Sequence, residues 1–255
     1  FEDPDNRTYK KAKKFFKDKK INTKIIKSKN YKNFYSSYFK NKKFKLPFIS
    51  AKIAISKDYY TINKRYKWIT NEHSRKVSHL LRSQNDCIFS TSKTINKDNS
   101  LLNCRIEGLN YFKPDLFIID LNLKLKKNLL INNFIKKRKT FLITSIKNKK
   151  KAKLFKKKGF IIIYIKSLNS KHDFKAMFKI IYKLGYSRAF FETGLSFLNS
   201  LLNHKILNNL YVLQNDIYLK NNGFNNSSSK YLKKIKLNKK ININLNNDTL
   251  YKKEF

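Results

Sequence analysis

The feature that most constrains this 255-residue chain is an alternation of short apolar segments with segments of helical spacing. The helical segments include Phe174, Met177, Phe178, Ile181 and Leu184, and later Leu195, Leu198, Leu201 and Leu202. Apolar, β-rich runs occupy residues 48–55, 87–89, 116–119, 141–144, 160–165, 189–191 and 210–213. Continuous apolar strands that alternate with helices predict an α/β fold, with a mostly parallel sheet covered by helices on both faces.

The two ends of the chain carry weaker patterns. Residues 1–46 are lysine-rich, with an amphipathic helix signal around Phe15 and Phe16, a strand-like stretch at 21–26 and an aromatic run at 31–39. Near the other end, a polar loop at 221–229 precedes two β-like segments, 231–237 and 241–251. Because no helix separates these two segments, we expect them to join the sheet as antiparallel strands.

The net charge of +43 has two explanations. Dense Lys and Arg attract phosphate backbones, so a basic nucleic-acid-binding protein, for instance a ribosomal component, is one hypothesis. However, the basic runs are scattered, at 10–20, 136–139, 147–158 and 230–240. Abundant Lys, Asn and Ile beside only 5 Gly and 3 Pro are typical of AT-rich coding sequences. On that interpretation the lysines lie on solvated surfaces, where they still favour small anionic substrates.

Several classes of protein do not fit the composition. With 41% hydrophobic residues the chain can bury a core, yet no apolar run approaches the roughly 20 residues of a membrane span. Its first five residues are acidic where a signal peptide is basic and apolar. Cys87 and Cys104 lack the spacing of a zinc site or a disulfide framework. We therefore expect a cytoplasmic protein with no metal.

A single glycine marks the one strand-to-helix junction that suggests phosphate binding. No G-x-G-x-x-G motif is present, but Gly194 separates a strand ending near Glu192 from a helix beginning at Leu195. Glycine permits close approach of a ligand, and the first amide groups of a helix attract anions. Glu192 would then face the crevice at the carboxyl end of the sheet. The alternative is that Gly194 only makes a turn and Glu192 only caps the helix.

A second candidate region surrounds the only tryptophan. Thr70 or Asn71 can cap a helix whose apolar stripe is Val77, Leu80 and Leu81. Trp68, just before this helix, is either a platform for a flat ring or a core anchor. Arg82 at the helix end and Arg105 beyond it suit a sugar phosphate, because guanidinium groups grip phosphate bidentately. The histidines form no catalytic motif and are interpreted as ordinary surface or helix residues: His73, His79, His172 and His204.

These residues, taken in order, resemble the reductase domain of the bacterial riboflavin-biosynthesis deaminase/reductase family. The resemblance is strongest over residues 47–105, moderate over 187–215, and present again in a closing segment at 245–250. Its motifs are PFISAKIAIS at 47–56, Lys57-Asp58, Trp68-Ile69-Thr70, Leu80-Leu81-Arg82, Thr94, Lys97-Asp98-Asn99 and Cys104-Arg105. A basic ribosomal protein has no reason to keep them in this order.

The resemblance implies a fold like that of dihydrofolate reductase, with a central, mostly parallel mixed sheet flanked by helices. It implies NADPH as cofactor, bound without a G-x-G-x-x-G motif. The reaction would be reduction of the ribosyl group of 5-amino-6-(5-phosphoribosylamino)uracil to the ribityl form. Residues 47–255 would be the reductase domain, through which the family often forms homo-oligomers. Residues 1–46 would be the C-terminal remnant of a cytidine-deaminase-like domain plus linker, without its zinc motifs. The chain starts with Phe, consistent with a fragment.

The resemblance also assigns site residues position by position. Lys52 would handle a proton and Glu192 would orient the ribose. The substrate would be held by Arg82, Leu102, Arg105 and Glu192. The cofactor would contact Ala54, Trp68, Thr94 and Asp98, with its phosphates at Gly194, Leu195 and Ser196.

Several positions depart from the family pattern. Tyr59 and Thr193 replace glycines, Ser100 replaces a proline, and Tyr66 and Lys93 replace small residues. Tyr59 and Thr193 would strain the backbone if these positions need a positive φ. A decayed, inactive reductase with an intact fold is therefore a third hypothesis, beside the active reductase and the nucleic-acid-binding protein.

Overall fold

The computed structural model describes residues 5, 7–8, 11–24, 26, 35–111 and 113–255. Its helices are α1 Lys11–Asp18, α2 Ser36–Phe44, α3 Glu72–Ser83, α4 Ser92–Asp98, α5 Lys149–Lys157, α6 Lys171–Lys183, α7 Leu195–Asn203 and α8 Lys230–Lys234. Its strands are β1 Phe48–Ile55, β2 Ile62–Asn63, β3 Cys87–Thr91, β4 Asp115–Ile119, β5 Thr140–Ser145, β6 Ile161–Ile165, β7 Arg188–Glu192, β8 Asn209–Asn215, β9 Gly223–Phe224 and β10 Asp248–Glu254.

Eight of these strands form one sheet in the order β10-β8-β1-β7-β3-β4-β5-β6. All neighbours from β8 to β6 are parallel, and β10 runs antiparallel to β8 at the edge. This confirms the α/β class and the mostly parallel, mixed sheet. Strand β7 returns late in the chain to lie between β1 and β3, so residues distant in sequence meet at the carboxyl ends of these three strands.

Alternation along β1 separates a core face from a site face. Ile49 and Ile53 belong to the apolar cluster that includes Phe174 of α6 and Leu195 of α7. Successive strand residues point to opposite faces, so Lys52 and its even-numbered neighbours face the other side, where α3 packs. The second apolar cluster, with Val77 and Leu81 of α3, lies on that side.

A row of stacked phenylalanines crosses the centre of the sheet. Phe191, Phe89, Phe117 and Phe141 occupy paired positions on β7, β3, β4 and β5. Successive ring centroids are 4.6, 4.7 and 4.1 Å apart, with nearly parallel planes. All four rings are buried, so this row fixes the relative position of the strands that carry the site.

The prediction for the C-terminal segments was half wrong. Residues 230–234 form helix α8 instead of a strand, because Leu232 is their one buried residue and the surrounding lysines favour helix over sheet. In the second segment only β10 is a strand, and it adds to the sheet antiparallel as expected. The polar segment 221–229 includes the two-residue strand β9, which pairs with β2.

At the N-terminal end, helix α1 forms as predicted, but Phe15 and Phe16 are exposed and its residues bury nothing. The predicted strand at 21–26 is absent at residues 21–24 and 26, and residue 25 lies outside the described residues. Of the aromatic run, 31–34 also lie outside them, whereas 36–39 begin helix α2. Across the described part of the chain, every helix is too short or too polar to cross a membrane.

Candidate active site

Lys52 and Glu192 are neighbours at the carboxyl ends of two parallel strands. They pair in the register of β1 and β7, so their side chains lie side by side on the face covered by α3. Ser90 of β3 donates a hydrogen bond from Oγ to the carbonyl oxygen of Glu192, at 2.8 Å. In open α/β sheets ligands bind at this end of the strands, near the point where the strand order reverses.

Arg82 of α3 forms a two-point ion pair with Glu192. Its Nε lies 2.5 Å from Oε1 and its Nη2 lies 2.9 Å from Oε2. Both side chains are about one-tenth exposed. Burial alone would raise the pKa of Glu192, but the charge and hydrogen bonds of Arg82 outweigh it and lower the pKa. Glu192 is therefore a carboxylate at neutral pH.

Local capping sets the position of Arg82. The side chain of Asn71 accepts a hydrogen bond from the Ser74 amide at 3.1 Å and starts α3, so of the two predicted caps Asn71 is the one used. The buried Asp248 of β10 accepts hydrogen bonds from the Asn71 amide at 2.8 Å and the Ser74 hydroxyl at 2.5 Å. These bonds attach the start of α3 to the sheet, and Arg82 lies three turns further along.

His79, interpreted from sequence as an ordinary residue, is buried between the two arginines of the site. Its Nδ1 is 3.1 Å from the carbonyl oxygen of Asn103, 3.1 Å from the amide of Arg105 and 3.3 Å from Nη1 of Arg82. Its Nε2 is 3.2 Å from Nη2 of Arg105. Burial and the two neighbouring guanidinium charges lower the pKa of His79 to about 4. The interpretation of His79 as an ordinary residue was therefore wrong. His79 lies one helical turn from Arg82, but the cluster is complete only when the loop at Asn103 packs against both, and the sequence pattern does not predict that contact.

Lys52 is a half-buried amine without a hydrogen-bond or ion-pair partner among the residues the structure describes. Burial lowers the pKa of its ammonium group, while the carboxylate of Glu192 opposes this shift. The charges of Arg82 and Asp98 also act on it, in opposite directions. An amine that is easier to deprotonate than usual, beside a fixed carboxylate, is suited to proton transfer.

Arg138 holds the loop that carries Leu102. It lies in the basic run at 136–139, which sequence analysis placed on solvated surfaces, yet its side chain is buried. Its guanidinium donates hydrogen bonds to the carbonyl oxygens of Leu101, Leu102 and Pro114. Leu102 itself is buried and has a positive φ of 53°. The surface interpretation is therefore wrong for this one arginine, and Leu102 is positioned through its backbone.

Gly194 and Thr94 meet at the start of α7. The Gly194 amide donates to Oγ1 of Thr94 at 3.2 Å, and no side chain caps the helix. Gly194 has a φ of −67°, so the position does not need the conformational freedom of glycine. Oγ1 of Thr193 is buried and finds no hydrogen-bond partner in the part of the chain that the structure describes. An uncapped helix start beside an orphaned hydroxyl fits a cofactor phosphate at this junction.

Trp68 is not a core anchor, because 55% of its surface is exposed. The charged groups of Lys67 and Arg75 lie 5.1 and 5.3 Å from its ring centroid. The charge of the same Lys67 acts on Asp98, at the exposed end of α4. Ala54 lies partly buried on β1, two residues beyond Lys52 on the same face. Within the described residues, Trp68 and Ala54 make no hydrogen bond or ring contact with the pair of Arg82 and Glu192.

The two glycine replacements behave differently. Tyr59 has a positive φ of 67°, so this position does require the conformation that glycine favours. Asp58 stabilises the turn, since its carboxylate accepts bonds from the Ser56 hydroxyl at 2.6 Å and the Lys220 amide at 2.8 Å. Thr193 has no positive φ, and its substitution causes no strain of this kind.

No three His, Cys, Asp or Glu side chains in the described ranges lie together as a metal site requires. Cys87 and Cys104 are both free and buried. Burial raises the pKa of the Cys87 thiol, which makes it unreactive.

The chain is similar in sequence and in fold to known proteins. The family model described as the RibD C-terminal domain matches residues 47–219. The riboflavin biosynthesis protein RibD of Aquifex aeolicus is 31% identical over 133 residues, which cover 51% of this chain and 36% of that protein. The chain thus spans little more than a third of the length of this curated relative.

Solved structures of related proteins share the fold. RibD of Acinetobacter baumannii superposes with a TM-score of 0.77 at 17% identity, covering 98% of this chain and 70% of that one. The deaminase/reductase of Thermotoga maritima gives 0.75 at 17% identity, with coverages of 98% and 68%. The riboflavin biosynthesis reductase Rib7 of Saccharomyces cerevisiae gives 0.66 at 19% identity, with coverages of 89% and 99%.

Proposed function

The chain belongs to the RibD C-terminal domain family, and from that premise we propose that it is a reductase of riboflavin biosynthesis. Its substrate is 5-amino-6-(5-phosphoribosylamino)uracil, and its cofactor is NADPH. The observation that carries the proposal is the grouping of Lys52, Glu192 and Arg82 at the carboxyl ends of β1 and β7. A ribosomal protein would have no use for a half-buried amine that no described residue pairs with, beside a fixed carboxylate.

The residues of the site divide the reaction between them. When bound, NADPH supplies the hydride. In the overall reaction C1′ of the ribose gains that hydride, the bond from C1′ to the ring oxygen breaks, and the ring oxygen gains a proton. We assign Lys52 to hold and deliver that proton, and the Glu192 carboxylate to accept hydrogen bonds from ribose hydroxyls.

The two arginines take different roles. Three nitrogens of Arg82 are engaged, two by Glu192 and one by the carbonyl oxygen of Asn103. We therefore assign Arg82 to orient Glu192. Arg105 is exposed, and its Nη1 makes only a long 3.4 Å bond to Asn103. Its Nη2 lies 3.2 Å from Nε2 of His79, and it makes no ion pair among the described residues. We therefore assign the exposed guanidinium of Arg105 to the substrate phosphate, with Leu102 beside it in the same loop.

The cofactor would lie along the neighbouring strand ends. Thr94, Asp98, Ala54 and Trp68 are its proposed contacts, and the uncapped amides after Gly194, at Leu195 and Ser196, would receive its phosphates. Residues 47–255 form the proposed reductase domain. Residues 1–46 are proposed to be the end of a deaminase domain with its linker, because the solved relatives superpose on nearly the whole chain. A cytoplasmic enzyme suits the two free thiols, and we propose that it forms a homo-oligomer.

The test is oxidation of NADPH by the purified chain, with and without the aminouracil substrate. Substrate-dependent oxidation is the expected result. Lys52→Met should lower kcat at least about a hundredfold while changing the Kd for NADPH less than about threefold, because it removes a proton donor and not a cofactor contact. Lys153→Gln, at an exposed position of α5, is the matched control and should leave both unchanged.

Two outcomes would contradict the proposal. NADPH binding without any substrate-dependent oxidation would indicate a decayed reductase. Unchanged kcat in Lys52→Met would show that Lys52 has no part in proton transfer. Retention of the unfolding midpoint in Lys52→Met shows that a lower kcat does not reflect misfolding.

A further inference from the structure

The imidazole ring of His79 faces three hydrogen-bond donors and one acceptor, so the position of its proton matters. Burial and the guanidinium charges of Arg82 and Arg105 lower the pKa of His79 to about 4. At neutral pH the ring therefore carries a single proton, on either Nδ1 or Nε2. The two tautomers make opposite demands on the neighbouring groups.

The contacts of Nδ1 favour the tautomer with its proton on Nε2. Nδ1 lies 3.1 Å from the amide of Arg105 and 3.3 Å from Nη1 of Arg82, and both of these groups are donors. Among the described residues the Arg105 amide has no other acceptor, so a proton on Nδ1 would leave it unpaired. The carbonyl oxygen of Asn103 does not need the ring, because it accepts from Nη1 of Arg82 at 2.9 Å. Nδ1 is therefore an acceptor.

With the proton on Nε2, two donors lie next to each other. Nε2 is 3.2 Å from Nη2 of Arg105, and a guanidinium nitrogen can only donate. These two groups cannot hydrogen-bond to each other, and in the part of the chain that the structure describes no acceptor lies within reach of Nε2. Arg105 is exposed, and His79 keeps 9% of its surface accessible. A negatively charged oxygen beside both groups would accept from each of them.

We propose that His79 is a second ligand of the substrate phosphate, and that its Nε2–H and the guanidinium of Arg105 donate to the same phosphate oxygen. The inference rests on the proposed function and deepens it, since that function assigns the phosphate to Arg105 alone. His79 also connects the phosphate to the ribose end of the site, because Arg82 contacts both its Nδ1 and the carboxylate of Glu192. A purely structural histidine would hold the loop at 103–105 without contacting the substrate.

The first test locates the ring proton by ¹⁵N NMR of the full chain labelled at histidine, with the His79 signals identified by their loss in His79→Gln. We expect neutral His79 to carry its proton on Nε2. Adding ribose 5-phosphate, the sugar phosphate of the substrate, should shift the Nε2–H resonance, whereas ribose should not. A proton on Nδ1, or no shift with ribose 5-phosphate, would overturn the inference.

The second test measures binding of ribose 5-phosphate by titration calorimetry on the full chain in about 0.15 M salt. His79→Leu should weaken binding about tenfold or more, because it removes a hydrogen bond to a charged group. His79→Gln keeps an N–H donor and should weaken binding less than about threefold. His73→Leu, exposed on the same helix, is the matched control and should change binding less than about twofold. In turnover, His79→Leu should raise KM for the aminouracil substrate about tenfold and change kcat less than about threefold.

Unchanged binding in His79→Leu, or no binding of ribose 5-phosphate by the unaltered chain, would also overturn the inference. The NMR measurement on the unaltered chain decides the question even if His79→Leu fails to fold. If ribose 5-phosphate binding depends on His79 but the aminouracil substrate causes no NADPH oxidation, the proposed function fails and the assignment of His79 stands. If substrate-dependent oxidation is present but the ring proton lies on Nδ1, the inference alone fails.

Discussion

At the scale of single residues, the site is organised by His79, which contacts both arginines and stays neutral. Protonation would place a third positive charge between Arg82 and Arg105. With a pKa of about 4 in the folded protein and an ordinary value near 6.5 when unfolded, His79 binds more protons in the unfolded state between these pH values. The free energy of unfolding therefore falls as the pH falls from about 6.5 toward 4.

His79→Gln should remove this contribution. Each pKa unit between the folded and unfolded values corresponds to about 1.4 kcal/mol, so the variant should lose less stability than the parent on acidification. The measurement is urea unfolding at several pH values between 4 and 7. His73→Gln, exposed on the same helix, should keep the parent's pH dependence. A parallel loss of stability in the His79→Gln variant and the parent would contradict the assignment.

Site residues that lie at motif positions of the family could be identified from sequence, and residues that act through loop contacts could not. Glu192 and Arg82 were both identified, and the structure brings them together. His79 and Arg138 were missed because their partners are backbone carbonyls of the loop at 101–103. Contacts to a loop leave no periodic pattern in the sequence. In the sequence, the buried Arg138 also cannot be distinguished from the exposed basic residues around it.

At the scale of elements, the strands were predictable because each contains a short continuous apolar run, although β6 at the edge of the sheet leaves Ile161 exposed. The β1 bounds agree at both ends, and the other main strands differ by one or two residues. Helix α8 was mistaken for a strand. It has five residues and one buried leucine, which is too short to show either the helical or the strand periodicity of apolar residues. The return of β7 to the middle of the sheet was likewise not predictable from the pattern alone.

The phenylalanine row gives the element-scale prediction. Phe117 is fully buried and lies between Phe89 and Phe141. Phe117→Ala should lower the free energy of unfolding by about 3–5 kcal/mol, because it leaves a cavity and ends two ring stacks. Chemical denaturation measures the effect. Phe15→Ala on exposed α1 should change stability by less than about 0.5 kcal/mol. A loss below about 1 kcal/mol at Phe117 would show that the row does not hold the sheet.

At the scale of the whole molecule, the charge of +43 stands against seven ion pairs between described residues. Most of the positive charges therefore repel one another across the surface. Because the folded state is more compact than the unfolded one, this repulsion is stronger in the folded state and destabilises it. Raising the ionic strength from about 0.01 to about 0.15 M shortens the screening length from about 30 to about 8 Å. This should relieve the repulsion and stabilise the folded protein.

The unfolding midpoint is thus expected to rise with salt over this range, by about 2–4 °C for each kcal/mol of repulsion removed. Thermal unfolding in NaCl, and in Na₂SO₄ matched for ionic strength, measures it. Equal rises in the two salts identify screening as the cause. A midpoint that stays constant or falls would show that the lysines are already compensated.

The placement of Glu192 has a consequence for how activity is lost. Its strand is hydrogen-bonded on both sides, to β1 and β3, and Ser90 fixes its carbonyl group. The backbone that carries this carboxylate therefore cannot move unless the middle of the sheet separates. On heating, turnover should be lost at the same temperature at which the protein unfolds, and no folded but inactive species should be populated in between.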